Sequence, residues 1–323
     1  MSADITDLGH EVFQIDTSMA GYPGITAAYL IRGDRPCLVE TGTAPSAPVV
    51  RDAVLSLGVG PAELATVVVT HIHLDHAGGA GDIASMFPSA SIVVHQKGAR
   101  HLADPSRLMA SARQVYGSAL DTLFGELSPV PASRLVALDD TGSFVDLGGG
   151  RRLSAWYSPG HARHHVGLLD SLSGDLYVGD AAGVYISATD DVRPATPPPD
   201  FDLSTALGSL ELFRSLDPSR LLFSHYGPVS AVSSILDRSA EELQVWVSET
   251  KAAHALGLDL DHAVAMVASH TRSRYAYLDP NVVDSTVVAG FESINGAESN
   301  VAGILHWLGK LDAASGANPA GPA

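Results

Sequence analysis

The sequence predicts an α/β fold over residues 1–230, followed by a helical extension at 231–312 and a disordered tail at 313–323. Three observations carry this. Short apolar, β-branched runs of strand length recur through the first 225 residues. Stretches with helical spacing lie between them. Several of the strand-like runs end on a histidine or an aspartate.

Taken in order, Glu11–Ile15 and Thr26–Ile31 read as strands, joined by the turn-like Gly21-Tyr22-Pro23-Gly24. Cys37–Glu40 reads as a third strand, ending at Glu40-Thr41-Gly42-Thr43. A helix is expected over Ala47–Leu57. Leu64-Ala65-Thr66-Val67-Val68-Val69 is a buried strand and leads directly into Thr70-His71-Ile72-His73-Leu74-Asp75-His76-Ala77-Gly78-Gly79. His71 and His73, one residue apart on extended backbone, point to the same side and can grip one metal ion. Asp75 and His76 come where the chain turns toward a helix, reach the other side, and can hold a second ion. Histidine nitrogen with carboxylate oxygen suits zinc, and also iron or manganese. The alternative is a polar strand-end cluster without a metal, but four potential ligands at this spacing rarely coincide by accident.

The helix that starts near His76 is expected to reach Phe87. Ser91–Val94 is a strand ending at His95, a packing or surface residue. Lys97–Phe124 reads as helix broken at Asp104-Pro105 and Gly117. It either borders a substrate mouth or presents a solvated face, and the solvated face is the simpler account. Phe144–Leu147, Arg152–Tyr157, Val166–Leu169 and Asp175–Val178 are short strands, with a hairpin turn at 170–175. Pro194–Asp202 holds four prolines. It is either a stiff connector or a wall of the active site. A helix over Ser204–Ser215 and a strand over Arg220–Phe223 complete this part. Beyond it, helices are expected over Ser233–Leu256, Leu258–Ser269 and Asn300–Leu311, the last capped by Ser299 or Asn300.

His71-x-His73-x-Asp75-His76 resembles the signature of the metallo-β-lactamase superfamily. Further positions match its usual context: His161 in Ser158-Pro159-Gly160-His161, Asp180 in Tyr177-Val178-Gly179-Asp180, and His225 in Leu222-Phe223-Ser224-His225. The resemblance covers about residues 10–230 and is nearest to the glyoxalase II and lactonase-like branch. It implies a four-layer αββα sandwich of two mixed sheets with helices outside. It also implies two metal ions, expected to be zinc with iron or manganese as alternatives. His71, His73 and His161 would take the first, Asp75, His76 and His225 the second, and Asp180 would bridge them. Where relatives usually have Asp-Thr-Gly, this chain has Glu40-Thr41-Gly42. By resemblance Glu40 fixes a ligand histidine through its other nitrogen, although a strand-end carboxylate facing water fits the sequence equally well. His165 is expected in a supporting role, and His164 stands where glycine is common.

Such a site implies hydrolysis of a carbonyl ester-type bond (thioester, lactone or related) by metal-bound hydroxide, with Asp75 orienting the nucleophile or shuttling a proton. Tyr185 and Tyr226 are candidates for contacting the substrate. So are Arg272 and Arg274 in His270-Thr271-Arg272-Ser273-Arg274-Tyr275-Ala276-Tyr277, if the C-terminal helices cap the cleft. That stretch is otherwise a surface connection or a dimer contact. Two other classes compete: a mononuclear iron oxidoreductase of persulfide dioxygenase type, and a non-catalytic binding module. The complete ligand set argues against the module.

Composition narrows the partners. The chain has 323 residues, 46% of them hydrophobic, and a formal net charge of -17. Its few lysines and arginines are scattered, which argues against a nucleic-acid substrate and for a small molecule; a homodimer stays open. Cys37 is the only cysteine, so no intramolecular disulfide can form. No signal-like start and no membrane-length apolar run is read, so the expected location is the cytoplasm. That reading, with the aspartate at the bridging position, also sets aside a classical β-lactamase.

Overall fold

The computed structural model describes residues 3–315. Two mixed sheets face each other. The first has seven strands in sequence order: β1 (Ile5–Asp7), β2 (Val12–Asp16), β3 (Ala27–Ile31), β4 (Cys37–Val39), β5 (Thr66–Val68), β6 (Ser91–His95) and β7 (Leu135–Leu138). β1 to β4 are antiparallel, while β4 to β7 run parallel. The parallel half is where helices intervene, as parallel connections require.

The second sheet uses β8 (Phe144–Asp146), β9 (Arg152–Tyr157), β10 (Val166–Asp170), β11 (Asp175–Gly179), β14 (Arg220–Phe223) and β15 (Gly227–Val229). Its six strands are ordered β15-β14-β11-β10-β9-β8, with only β11 and β14 parallel. The ribbon β12 (Val184–Ile186) and β13 (Asp191–Arg193) stands apart from both sheets.

Period-2 alternation sorts the side chains into layers. Tyr29, Val39, Val68 and Val93 point between the sheets, where they meet Leu168, Tyr177 and Leu222. Their neighbours Leu30, Leu38, Val67 and Ile92 point the other way, onto the helices Ala47–Ser56 and Ala80–Met86. Leu176, Val178, Leu221 and Phe223 turn from the second sheet onto the helices Leu203–Ser215 and Val232–Ala255. Three apolar clusters thus separate four layers, αββα, as the sequence predicts.

Several boundaries differ from expectation. The helix expected from His76 to Phe87 is two pieces, Leu74–Ala77 and Ala80–Met86. Gly78 and Gly79 lie between them because the chain passes too close to the Thr41–Thr43 segment for a side chain: a Cβ on Gly79 would meet Thr41 O at 3.0 Å. The last helix is Ala297–Ser315, so Asn300 lies inside it and caps nothing. Ala313 to Ser315 end that helix, and the rest of the expected tail, 316–323, falls outside the described residues. The Ser285–Asn295 helix, β1, β7, the β12–β13 ribbon and β15 had no counterpart in the sequence reading. Among the described residues no helix is long and apolar enough to cross a membrane.

Candidate metal centre

Strand ends deliver the candidate ligands. β5 leads to His71 and His73, β9 through Pro159-Gly160 to His161, β11 to Asp180, and β14 to His225. These strands are rigid and their C-terminal ends share one edge of the sandwich, so the side chains converge.

One group forms around His73. Its Nδ1 lies 3.1 Å from His71 Nε2 and 2.9 Å from His161 Nε2. Tetrahedral zinc with Zn–N of about 2.0–2.1 Å needs ligand atoms about 3.3 Å apart, close to these spacings. A second group joins Asp75, His76 and His225, with donor atoms within 4.8 Å of one another. Asp75 Oδ2 is 3.2 Å from His225 Nε2 and 3.5 Å from His76 Nε2. Asp180 stands between the groups. Its Oδ1 lies 3.2 Å from His76 Nε2 and 3.5 Å from His225 Nε2, while Oδ2 faces His161 Nε2 at 3.6 Å.

The donors fit a cation on two counts. Both His76 ring nitrogens and Asp180 Oδ1 are buried without a hydrogen-bond partner among the described residues, a costly state for polar atoms unless something else satisfies them. Two of the other imidazoles are held by their far nitrogens. His161 Nδ1 pairs with Ala195 O at 2.9 Å and His225 Nδ1 with Ile25 O at 3.0 Å. A carbonyl can only accept, so each Nδ1 carries the proton and each Nε2 offers its lone pair to the centre.

Electrostatics separates the two groups. Burial, then neighbouring imidazoles, push His71 well below its usual range, and burial with His161 lowers His73 to about 4. These rings are neutral and ready to ligate. Burial also works against charge on His76 and His225, but Asp180 and Asp75 overcome it and raise both. Burial would raise Asp75 and Asp180, yet His76 and His225 bring both carboxyls below their ordinary value.

Glu40 is buried rather than facing water, and it touches three ligand-bearing segments. Its Oε1 accepts from Thr70 Oγ1 at 2.5 Å and from Ser224 Oγ at 3.2 Å, and lies 3.4 Å from His76 Nδ1. His165 is tied to Ser158 Oγ at 2.9 Å and accepts from the Asp180 backbone N–H at 3.1 Å. His164 lies beside the first group, its ring stacked 6.2 Å from that of His71. His95 is buried, 2.8 Å from Asp140 and stacked on Tyr157.

The cleft over the ligands counts about 860 Å³ with its solvent-open space. The Ser106–Tyr116 helix forms one wall through Leu108, Ala112, Val115 and Tyr116. This corrects the solvated-face reading: the polar side of that helix faces water, and its apolar side closes the cleft. Pro197, Pro198 and Pro199 form the opposite wall, and Asn295 and Ser299 from the C-terminal helices complete it.

The four substrate candidates lie elsewhere. Tyr185 sits on the β12–β13 ribbon and donates to Asp190 at 3.0 Å. Tyr226 packs against the core between the sheets, and burial with the charge of Asp16 pushes its hydroxyl up to about 12. Arg274 pairs with Glu242 at 2.6 Å, and Arg272 donates to Leu278 O at 3.2 Å. Tyr275 and Tyr277 point inward, toward Glu242 and Glu292. Local salt bridges and core packing claim this stretch. The C-terminal helices reach the cleft instead through the junction near Asn295, which no local motif marks.

Residues 21–225 match the metallo-beta-lactamase superfamily, and this chain belongs to it. A metallo-beta-lactamase fold-containing protein of Sulfurisphaera tokodaii is 31% identical over 167 residues, 51% of this chain and 61% of the relative, so the match spans under two thirds of that relative's length. A probable metallo-hydrolase of Bacillus subtilis is 22% identical over 232 residues, 67% of this chain and 71% of the relative. Among solved structures, a metallo-beta-lactamase family protein of Thermus thermophilus superposes with a TM-score of 0.65 at 19% identity, over 95% of this chain and 96% of its own. That likeness includes the C-terminal helices and concerns the fold.

Proposed function

We propose that the protein is a dinuclear metal-dependent hydrolase of a small-molecule carbonyl ester, such as a thioester or lactone, with zinc as its metal. The observation that carries this reading is the placement of Asp180, whose two oxygens face two separate groups of donors. His71, His73 and His161 would hold one ion, and Asp75, His76 and His225 the other. When bound, such ions lower the pKa of water to near neutrality and polarise a carbonyl. The chain does the rest. His161 and His225 are locked in the Nε2-ligating tautomer by backbone carbonyls. Asp75, at the floor of the cleft, can orient the attacking water and pass its proton to the leaving group. Leu108, Ala112 and Val115 give the cleft an apolar wall against which an apolar part of the substrate can pack.

The test is a panel of esters, thioesters and lactones, with metal content and oxygen uptake measured on the same preparation. Hydrolysis that a chelator abolishes and added zinc restores is the expected result. Activity that survives thorough metal removal would overturn the mechanism, as would iron content with oxygen uptake and no hydrolysis.

A further inference from the structure

A second groove opens beside the metal cleft, about 1360 Å³ with its solvent-open space. The two share His73, Leu108, Ser111 and Pro199, so they are continuous. Their linings differ. The cleft holds the carboxylates Asp75 and Asp180 and no lysine or arginine, whereas Lys97, Arg100, Arg107 and Arg163 line the groove against one carboxylate, Asp200. Four cations gathered beside the site contrast with a chain of formal net charge -17.

Two of these charges are already partnered. Arg163 Nε lies 2.7 Å from Asp200 Oδ1, and Lys97 Nζ lies 3.4 Å from Asp140 Oδ2 and 2.7 Å from the Tyr157 hydroxyl. Arg100 donates Nε–H to His101 Nε2 at 3.2 Å, a neutral acceptor that leaves its charge uncompensated. Burial, then the charges of Arg100 and Arg107, hold the His101 imidazole below its ordinary value. Arg107 has no carboxylate within ion-pair distance among the described residues; the nearby Asp104 instead accepts from the Ser106 N–H at 3.1 Å. The inner end of the groove is His164, which accepts from the Ile72 N–H at 3.4 Å and stacks beside His71. The groove therefore begins at the first group itself, with His73 on its lining and His164 beside His71.

We propose that this groove is an anion subsite, and that the substrate carries a carboxylate or phosphate at the end lying beyond His73. The proposal rests on the hydrolytic reading for the position of the scissile bond. An apolar portion fills the Leu108–Val115 side, the ester carbonyl lies over the ligands, and the anionic end reaches Arg100 and Arg107. A guanidinium presents a planar fork that pairs two N–H groups with two oxygens of either anion. Arg100 and Arg107 are exposed, so that pairing stays partly screened by solvent and acts mainly in selecting and orienting the anionic end. A long polyanion is disfavoured, because the net charge outside the groove repels it.

The experiment compares three thioesters of one acyl chain length on the metal-loaded protein: one ending in a carboxylate, one in a phosphate, one in a methyl group. A higher kcat/KM for one anionic substrate is expected and identifies which anion the groove takes. In Arg100→Ala and Arg107→Ala, with unchanged melting temperature, the anionic-to-neutral ratio should fall about tenfold for each arginine. Equal kcat/KM for all three, or a ratio that persists in the double variant, would overturn the subsite and leave the hydrolase standing. If no thioester is cleaved, the hydrolytic reading fails. The groove is then judged by titrating inorganic phosphate and glutarate onto the same protein: binding that the double variant loses supports it, and no binding overturns it.

Discussion

His165 accepts a hydrogen bond from the backbone N–H of Asp180 at 3.1 Å, which ties the strand carrying His161 to the residue that faces both donor groups. His165 is not a ligand in this arrangement. It aims one. Its other nitrogen meets Ser158 Oγ at 2.9 Å, and Gly179 approaches so closely that a Cβ there would meet His165 Nε2 at 2.4 Å. His165→Ala should therefore weaken metal binding about 10–100-fold with all seven ligands intact. Competition against a chelator of known affinity measures this, and unchanged affinity would show that Asp180 needs no such support.

Asp180 and Asp75 should separate under mutation. Asp180→Ala removes the oxygens facing both groups, so metal per chain should fall at both. Asp75→Asn keeps the side-chain size and one neutral oxygen donor, so it should lose less metal. Turnover should nevertheless drop about a hundredfold or more, as loss of a proton-transfer group does. Metal analysis beside kcat decides it. Full metal content in Asp180→Ala would sink the bridging role.

Glu40 has a backbone φ of 65°, in the left-handed region that a glutamate rarely occupies. The fold holds it there because its carboxylate gathers Thr70, Ser224 and His76 from three segments. Glu40→Ala would leave the buried Ser224 hydroxyl without its acceptor and leave the Thr70 hydroxyl only His71 Nδ1, 3.0 Å away. The metal-free protein should lose about 1–3 kcal/mol per unsatisfied group, read as a lower melting temperature. An unchanged midpoint would mean that these hydroxyls find other partners.

The His/Asp cluster was legible because its chemistry is compact. His71, His73, Asp75 and His76 share six residues, and each later ligand ends a strand with a recognisable context. The walls were not legible, because their contacts are remote. Thr196 meets Asn300 across 104 residues, and nothing near Asn300 announces it. The Ser285–Asn295 helix escaped for a local reason. Thr286, Val287, Val288 and Gly290 are poor helix formers, and close packing on the core supports the helix instead: a Cβ on Gly290 would lie 2.8 Å from Ile25 Cδ1. The basic groove was hidden in the same way. Lys97, Arg100, Arg107 and Arg163 look scattered in sequence and are gathered only by the fold.

A buried asparagine anchors the start of the proline wall. Asn300 Oδ1 accepts from the Thr196 N–H at 2.7 Å and from its hydroxyl at 3.0 Å, while Asn300 Nδ2 donates to Asn295 Oδ1 at 2.7 Å. Thr196 immediately precedes Pro197, Pro198 and Pro199, which have no N–H of their own to anchor them. At Gly303, one turn further along the helix, a Cβ would lie only 1.8 Å from Thr196 O, so helix and loop are in direct backbone contact. Asn300→Ala should leave the Thr196 N–H buried and unpaired, at a cost of about 1–3 kcal/mol. Gly303→Ala should push the loop away from the helix. Both changes move a wall and leave the ligands in place. The expected signature is therefore a raised KM with metal content unchanged and kcat reduced much less. Steady-state kinetics on the best substrate, with metal analysis of each variant, makes the check. A lowered melting temperature with KM unaltered in both would mean that the Asn300 anchor serves stability alone and that the proline loop does not shape substrate binding.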